Sequence, residues 1–417
     1  MSKSRSFCIF LLCLSLVTLA LQGAAAAGAA GQSEAAPAPK DPVLAVRPAP
    51  VSDSAPGRIK LDVVVTGRSG SPVSGLELKD FTLVDNKQTQ KIMAFQAVDG
   101  AAAATGPPVE VILLIDTVNA TFQQVAIARE QIGKFFRQNG GHLEQPVSIF
   151  LFSNEGLQVQ LRPSMDGNAL MAVLDQVKPG MGTTGSAASG KSEIERFQFS
   201  VRTLTGIALN EAHSARTVTR IAQSEPRKQG RKLLIWIGPG WPTLVGPNYS
   251  SSSKDRQRYF DAIVELSTRL REARIALYSV SQLNSANGGE PRTLPSAALP
   301  ISSAEAPTAS RGPVSVNDTM RESSYKEFLR GVKSARQADS GNLALQVLAV
   351  QSGGRILDPS NDLAGQIANC VADLSAFYTI SFDPPRAEHA DEYHDLKVQI
   401  GKPGLVARTS TGYYNQP

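Results

Sequence analysis

The stretch Val109–Gln124, VEVILLIDTVNATFQQ, decides the fold. Val111 to Ile115 is an unbroken apolar run, too short for a helix and suited to a strand buried on both faces. The run ends on a charge, Asp116. Thr121 and Gln124 then stand at capping-box spacing and predict a helix start. Val125, Ala128, Ile132 and Phe135 follow at helical spacing, so the predicted helix has one apolar face. Strand, acidic loop and helix make the first unit of an α/β sheet, in which ligands bind at the carboxyl ends of the strands. Asp116, Asn119 and Thr121 are therefore the first candidate site residues.

Outward from this unit the same rhythm continues. Val147 to Phe152 and Leu233 to Ile237 read as buried strands, and Ile275 to Val280 as another. Ser153 to Gly156 is a hairpin turn that sends Leu157 to Leu161 back as an edge strand. Helical spacing recurs over Leu170–Val177, Phe197–Ala208, Phe260–Leu270 and Leu363–Leu374. The fold class is α/β, with a doubly wound, mostly parallel sheet over residues 109–376. Within it, residues 284–341 are rich in Ser, Ala, Pro and Gly and read as a low-complexity insertion.

Both ends differ from this centre. Residues 1–30 carry a basic start, an apolar core and an Ala-rich tail, the pattern of a secretory signal peptide cleaved between Ala26 and Ser33. Residues 31–57 form an Ala/Pro linker. Residues 58–100 alternate apolar and polar positions and predict three short strands, at Ile59–Thr66, Phe81–Val84 and Ile92–Phe95. Residues 377–417 predict three more, at Phe377–Phe382, Leu396–Ile400 and Leu405–Arg408. Neither end alone has the apolar area of a stable domain, so the two are expected to share one accessory β module. Cleavage leaves Cys370 as the sole cysteine, which must be a small buried hydrophobe rather than half of a disulfide.

The chain has 417 residues, 42% of them apolar, and a net charge of +5. Acids and bases are interspersed, and no basic block with interleaved aromatics marks a nucleic-acid surface. Residues 185–192 match the P-loop pattern, but no buried strand leads into Gly185, so no nucleotide is expected. His389 and His394 lie among four carboxylates and suggest a metal, against the simpler reading of a solvated hairpin loop. No G-x-S-x-G or H-E-x-x-H motif occurs.

Four segments in order, VSGLELKDFTL (Val73–Leu83), Val111–Phe122, KLLIWIGPGWP (Lys232–Pro242) and Phe377–Tyr414, resemble the von Willebrand factor A-related proteins first named from acidobacteria. The resemblance implies a type A fold and a metal-ion-dependent adhesion site of Asp-x-Ser-x-Ser, Thr and Asp. Here Asp116 is kept, Val118 and Ala120 stand where the serines belong, and Pro239 stands in place of the last carboxylate. Asp116, Asn119 and Thr121 remain weak candidates for a shifted Mg or Mn site, and no metal or cofactor is expected. The resemblance thus implies a non-enzymatic, secreted or periplasmic protein-binding module whose adhesion site is degenerate. Its partner would be a protein or another cell-envelope ligand, with no membrane span once the signal is cleaved. The expected partner-binding rim is Asp116, Asn119, Thr121, Thr183, Thr184, Pro239 and Trp241. Trp241 in its Pro/Gly loop serves either as an exposed anchor or as packing on the sheet edge. The alternatives are a metal-dependent adhesion domain and an envelope metallohydrolase using His389–His394.

Overall fold

The computed structural model describes residues 57–99, 108–160, 162–176, 212–225, 230–241, 244–245, 251–282, 292–293 and 326–417. The first strand, β1 (Ile59–Thr66), is followed by β2 (Phe81–Asp85), β3 (Gln88–Gln90) and β4 (Ala94–Asp99). The expected strand at Ile92–Phe95 is thus shifted. Asn86 and Lys87, at φ 46° and 69°, make a two-residue reversal that pairs the polar segment Gln88–Gln90 back onto β2. Gln-Thr-Gln has no apolar alternation, which is why periodicity did not mark it.

The central unit is β5 (Val109–Asp116) and α1 (Phe122–Phe136), with β6 (His142–Ser153), β7 (Gly156–Val159), β8 (Ser164–Asp166) and α2 (Gly167–Leu174). The helical residues 212–224 form α3. Then come β9 (Arg231–Ile237), β10 (Leu244–Val245), α4 (Ser253–Glu272), β11 (Ile275–Val280) and β12 (Arg292–Thr293). In the six-stranded sheet the order is β11-β9-β5-β6-β7, with β8 also on β6. Strands β11, β9, β5 and β6 run parallel, and β7 and β8 are antiparallel to β6. Two more helices, α5 (Leu345–Gln351) and α6 (Leu363–Val371), complete this part.

Alternation along β5 feeds two cores. Val111, Leu113 and Ile115 point to one side, where α1, α2 and α6 supply Val125, Ile132, Leu170 and Ile367. Ile112 and Leu114 point to the other, where α3, α4 and α5 supply Val218, Ile263 and Leu348. Burial of each such side chain contributes about 1.5–3 kcal/mol. Part of the expected insertion also belongs here. Lys326–Leu329, Ala335–Gln337 and Ser340–Leu343 form short 3₁₀ turns, and Val332 and Ala338 of that segment, with Leu343 just after it, are buried in the second core. Residues 283–291 and 294–325 lie outside the described residues.

The last strands are β13 (Ala376–Phe382), β14 (Glu392–Ile400), β15 (Val406–Arg408) and β16 (Gly412–Asn415). They pair with the first four in two sheets, ordered β15-β1-β13-β4 and β16-β14-β2-β3. Leu61 lies opposite Ile380, and Val398 opposite Leu83. Leu61, Val63, Phe81 and Leu83 share a core with Ile380 and Val398. Phe377 faces away from that core, toward Val64 and Val98, with the Arg231 guanidinium 4.7 Å above its ring.

Charges fasten the β module to the amino end of the parallel sheet. Arg274 donates to both carboxylate oxygens of Asp62 on β1, and Thr379 Oγ1 donates to Asp62 Oδ1 at 3.0 Å. Arg408 on β15 and Tyr278 on β11 both donate to Asp373 Oδ2, at 2.5 and 2.7 Å. No described helix is long and apolar enough to cross a membrane.

Candidate functional site

The carboxyl ends of β5 and β9 meet at Asp116. Its Oδ1 accepts from the Val118 and Asn119 amides, at 3.0 and 2.9 Å. Its Oδ2 accepts from Asn119 Nδ2 at 2.9 Å and from Trp236 Nε1 at 3.0 Å. Thr117 N and Oγ1 both donate to Phe152 O, at 2.9 and 2.8 Å. Asn119 Nδ2 also donates to Ser214 Oγ on α3, at 3.2 Å. The carboxylate therefore folds the loop around itself and ties β5 to β9 and α3. Burial pushes its pKa up to about 6, although the bonds from Asn119, Trp236 and Val118 hold it down. Thr121 caps α1: its Oγ1 accepts from Gln124 N at 3.3 Å, and its own amide donates to Gln124 Oε1 at 2.8 Å.

These contacts correct the expected rim. Asp116 is 1% exposed, Trp241 is 0% exposed, and Asn119 and Pro239 are buried as well. Trp241 packs edge-on to Trp236 at 5.0 Å and donates from Nε1 to Leu343 O at 2.9 Å. It closes the second core, because the turn at residues 340–343 supplies the acceptor its indole needs. Thr121 is the one expected rim residue that is exposed among those described; Thr183 and Thr184 lie outside the described residues, as do residues 185–192. Beside Thr121, Phe122 is 67% exposed. Phe122 was not among the expected rim residues. Its signal was an aromatic directly after the cap, off the Val125–Ala128–Ile132 face.

The loop does not fit a hard divalent cation. Such an ion takes about six oxygen ligands. Both oxygens of Asp116 already accept N–H bonds, while Val118 and Ala120 point into the two apolar cores. Gly238 stands against the carboxylate from β9. A Cβ there would lie 2.8 Å from Asp116 Cβ, and its φ is 148°, so no side chain can reach in from that position.

His394 is likewise not in a solvated loop. It lies on β14, buried, with Nδ1 2.9 Å from Asp85 Oδ1 and its ring stacked on Tyr413 at 4.8 Å. Tyr413 donates to Asp85 Oδ2 at 2.6 Å, so this trio ties three strands, β2, β14 and β16, together. His389 remains exposed, bonded to the neighbouring Ala390 carbonyl. Among the described residues, no three His, Cys, Asp or Glu side chains converge as metal ligands. Cys370 is buried, and burial pushes its thiol well above the usual range, which leaves little reactive thiolate.

The sequence matches no family model and no curated protein. Solved structures give distant likenesses. The human COPII-coat protein Sec24c has TM-score 0.30 and 6% identity, over 77% of this chain and 46% of that one. The SpRpn10 VWA domain has TM-score 0.20 and 13% identity, over 44% of this chain and 80% of that one. The pilus adhesin SpaC from Lactobacillus rhamnosus GG, in its open conformation, has TM-score 0.30 and 10% identity, over 82% of this chain and 44% of that one. The chain thus spans under half the length of Sec24c and SpaC, and likenesses at this level assign no family.

Proposed function

We propose that this chain is an exported, non-enzymatic protein-binding module. Its α/β part would be a doubly wound domain of the von Willebrand factor A-related kind, with a degenerate metal-ion-dependent adhesion site. The observation that carries the reading is the Asp116 loop. At the sheet end where such folds hold ligands, the one retained acid is closed off by four N–H donors. Just beside it, Thr121 and the aromatic Phe122 face outward. Recognition then falls to side chains on a surface, not to an ion completed by a partner's carboxylate. The partner is a protein or another component of the cell envelope; no nucleic acid, nucleotide or cofactor takes part. The mature chain would begin between Ala26 and Ser33, after cleavage of a signal peptide.

The test is capture of partners from the native envelope fraction by the mature chain, with EDTA or with Mg²⁺ present. The expected result is the same captured protein under both conditions, and its loss with Phe122→Ala. Capture that requires Mg²⁺ or Mn²⁺, with calorimetric binding of the ion abolished by Asp116→Ala, would instead establish the metal-dependent reading. The hydrolase alternative needs a metal retained through purification, which elemental analysis reads directly.

A further inference from the structure

A small cavity of about 20 Å³ lies where β1 of the β module meets α4 and the amino ends of β9 and β11. Its charged lining is one-sided. Arg231, Arg271, Arg274 and Lys60 are cationic, and Asp62 is the one carboxylate among the described lining. Asp62 is already spent: Arg274 donates to both of its oxygens, and Thr379 Oγ1 donates to Oδ1.

The other two arginines have no such partner. Arg231 is 2% exposed, and its Nη1 donates only to the backbone oxygen of Asp373, at 2.9 Å. The Asp373 carboxylate is held instead by Arg408 and Tyr278, with Arg355 3.8 Å away. Arg271 stands in the last turn of α4, where the neighbouring Glu272 pairs with Arg269. Arg231 and Arg271 each carry a buried Nε with no acceptor among the described residues. The carbonyl end of α4 offers roughly half a negative charge. Part of that is taken, since Arg271 O accepts from Arg274 N and Ala273 O from Lys232 Nζ. Burial lowers the pKa of Arg271, against the pull of Glu272 and Tyr413, but an arginine stays charged at neutral pH. Charges taken out of water need a counter-charge, and this joint is short of one.

We infer that the cavity is a halide site, in which one chloride accepts from the Nε–H groups of Arg231 and Arg271. The ion would tie β9 to α4 beneath β1. The size selects a monatomic ion, because about 20 Å³ admits one water-sized guest and not a phosphate or sulfate. A water could accept from both arginines but would bring no charge. Ser410, between β15 and β16, adds a lining hydroxyl that can turn to donate. The site lies at the amino ends of the strands, away from the Asp116 loop, and does not depend on the proposed binding role.

The test follows thermal unfolding of the purified chain as sodium chloride replaces sodium gluconate at constant ionic strength. Gluconate is too large for the cavity. A saturable rise of about 2–4 °C in Tm is expected. Protein should also broaden the chloride NMR line, and bromide should compete that broadening away. Arg271→Gln should abolish both effects. Arg269→Gln, an equal loss of charge at a more exposed place on the same helix, should keep both. Ser410→Asp supplies a tethered carboxylate, so it should raise the chloride-free Tm and remove the gain from chloride. The inference is overturned if chloride and gluconate give the same Tm, since only a water would then fill the cavity. It is also overturned if Arg271→Gln and Ser410→Asp both keep the full gain, or if Arg269→Gln loses it, which would mark general screening.

Discussion

Asp116 is held as an acceptor by four donors, so the charge-free isostere is not neutral here. Asp116→Asn turns an N–H toward Asn119 Nδ2 or Trp236 Nε1, donor against donor, and should cost about 1–3 kcal/mol in urea unfolding. The cost will depend on pH with a definite sign. The folded-state pKa is raised from 3.8 to about 6, so the native chain binds the extra proton between those values. Asp116 therefore stabilises the native state most below pH 3.8, and that part is lost as pH rises to about 6, on the order of 3 kcal/mol. The stability gap between wild type and Asp116→Asn should narrow over that window; a gap constant from pH 4 to 7 would refute the desolvation described. The position of Asp116 at a strand end was legible in the sequence. Its closure was not, because the decisive donor, Trp236 Nε1, lies 120 residues away on β9. Trp241 was ambiguous for the same reason: its acceptor, Leu343 O, lies 102 residues away, just beyond the segment whose composition suggested an insertion.

Among elements, those buried on both faces were the easiest to read. β5, β6, β9 and β11 carry continuous apolar runs, and the structure puts all four in one parallel array. Strands with polar edges were harder. β3 is Gln-Thr-Gln, and the first half of β14 holds Glu392, His394 and Asp395, whose chemistry suggested a loop. His394 is a strand residue because Asp85 and Tyr413 are there to satisfy and cover it. Between elements, the Arg274–Asp62 pair is the most exacting contact. Burial raises the Asp62 pKa, but attraction and hydrogen bonds from Arg274 outweigh it and leave the carboxyl below its ordinary value. Its stabilisation is present above the unfolded-state value and is lost as pH falls through the folded one. Arg274→Met would leave Asp62 charged and unpaired in a mostly buried place, at a cost of about 3 kcal/mol. Adding Asp62→Leu to that variant should recover most of the loss, as denaturant midpoints would read.

At the scale of the whole molecule, the two terminal segments are one structure: β1 lies against β13 and β15, and β2 against β14. Removing residues 377–417 should therefore unfold residues 59–98, with each buried apolar side chain released contributing about 1.5–3 kcal/mol to the loss. Hydrogen exchange on the truncated chain reads this; full protection between Ile59 and Phe95 would make the amino-terminal strands independent. The central sheet should be less affected, since the cores around β5 draw on α1, α2, α4 and α6. The same pairing sets a timetable for biosynthesis. Some 310 residues separate Thr66 from Ala376, roughly 15–60 s of translation at 5–20 residues per second. Throughout that interval Ile59–Thr66 has left the ribosome with no strand to pair with. The nascent chain must be kept from aggregating through a segment that its own last strands will cover, and a premature stop codon anywhere before Ala376 leaves that segment bare for good.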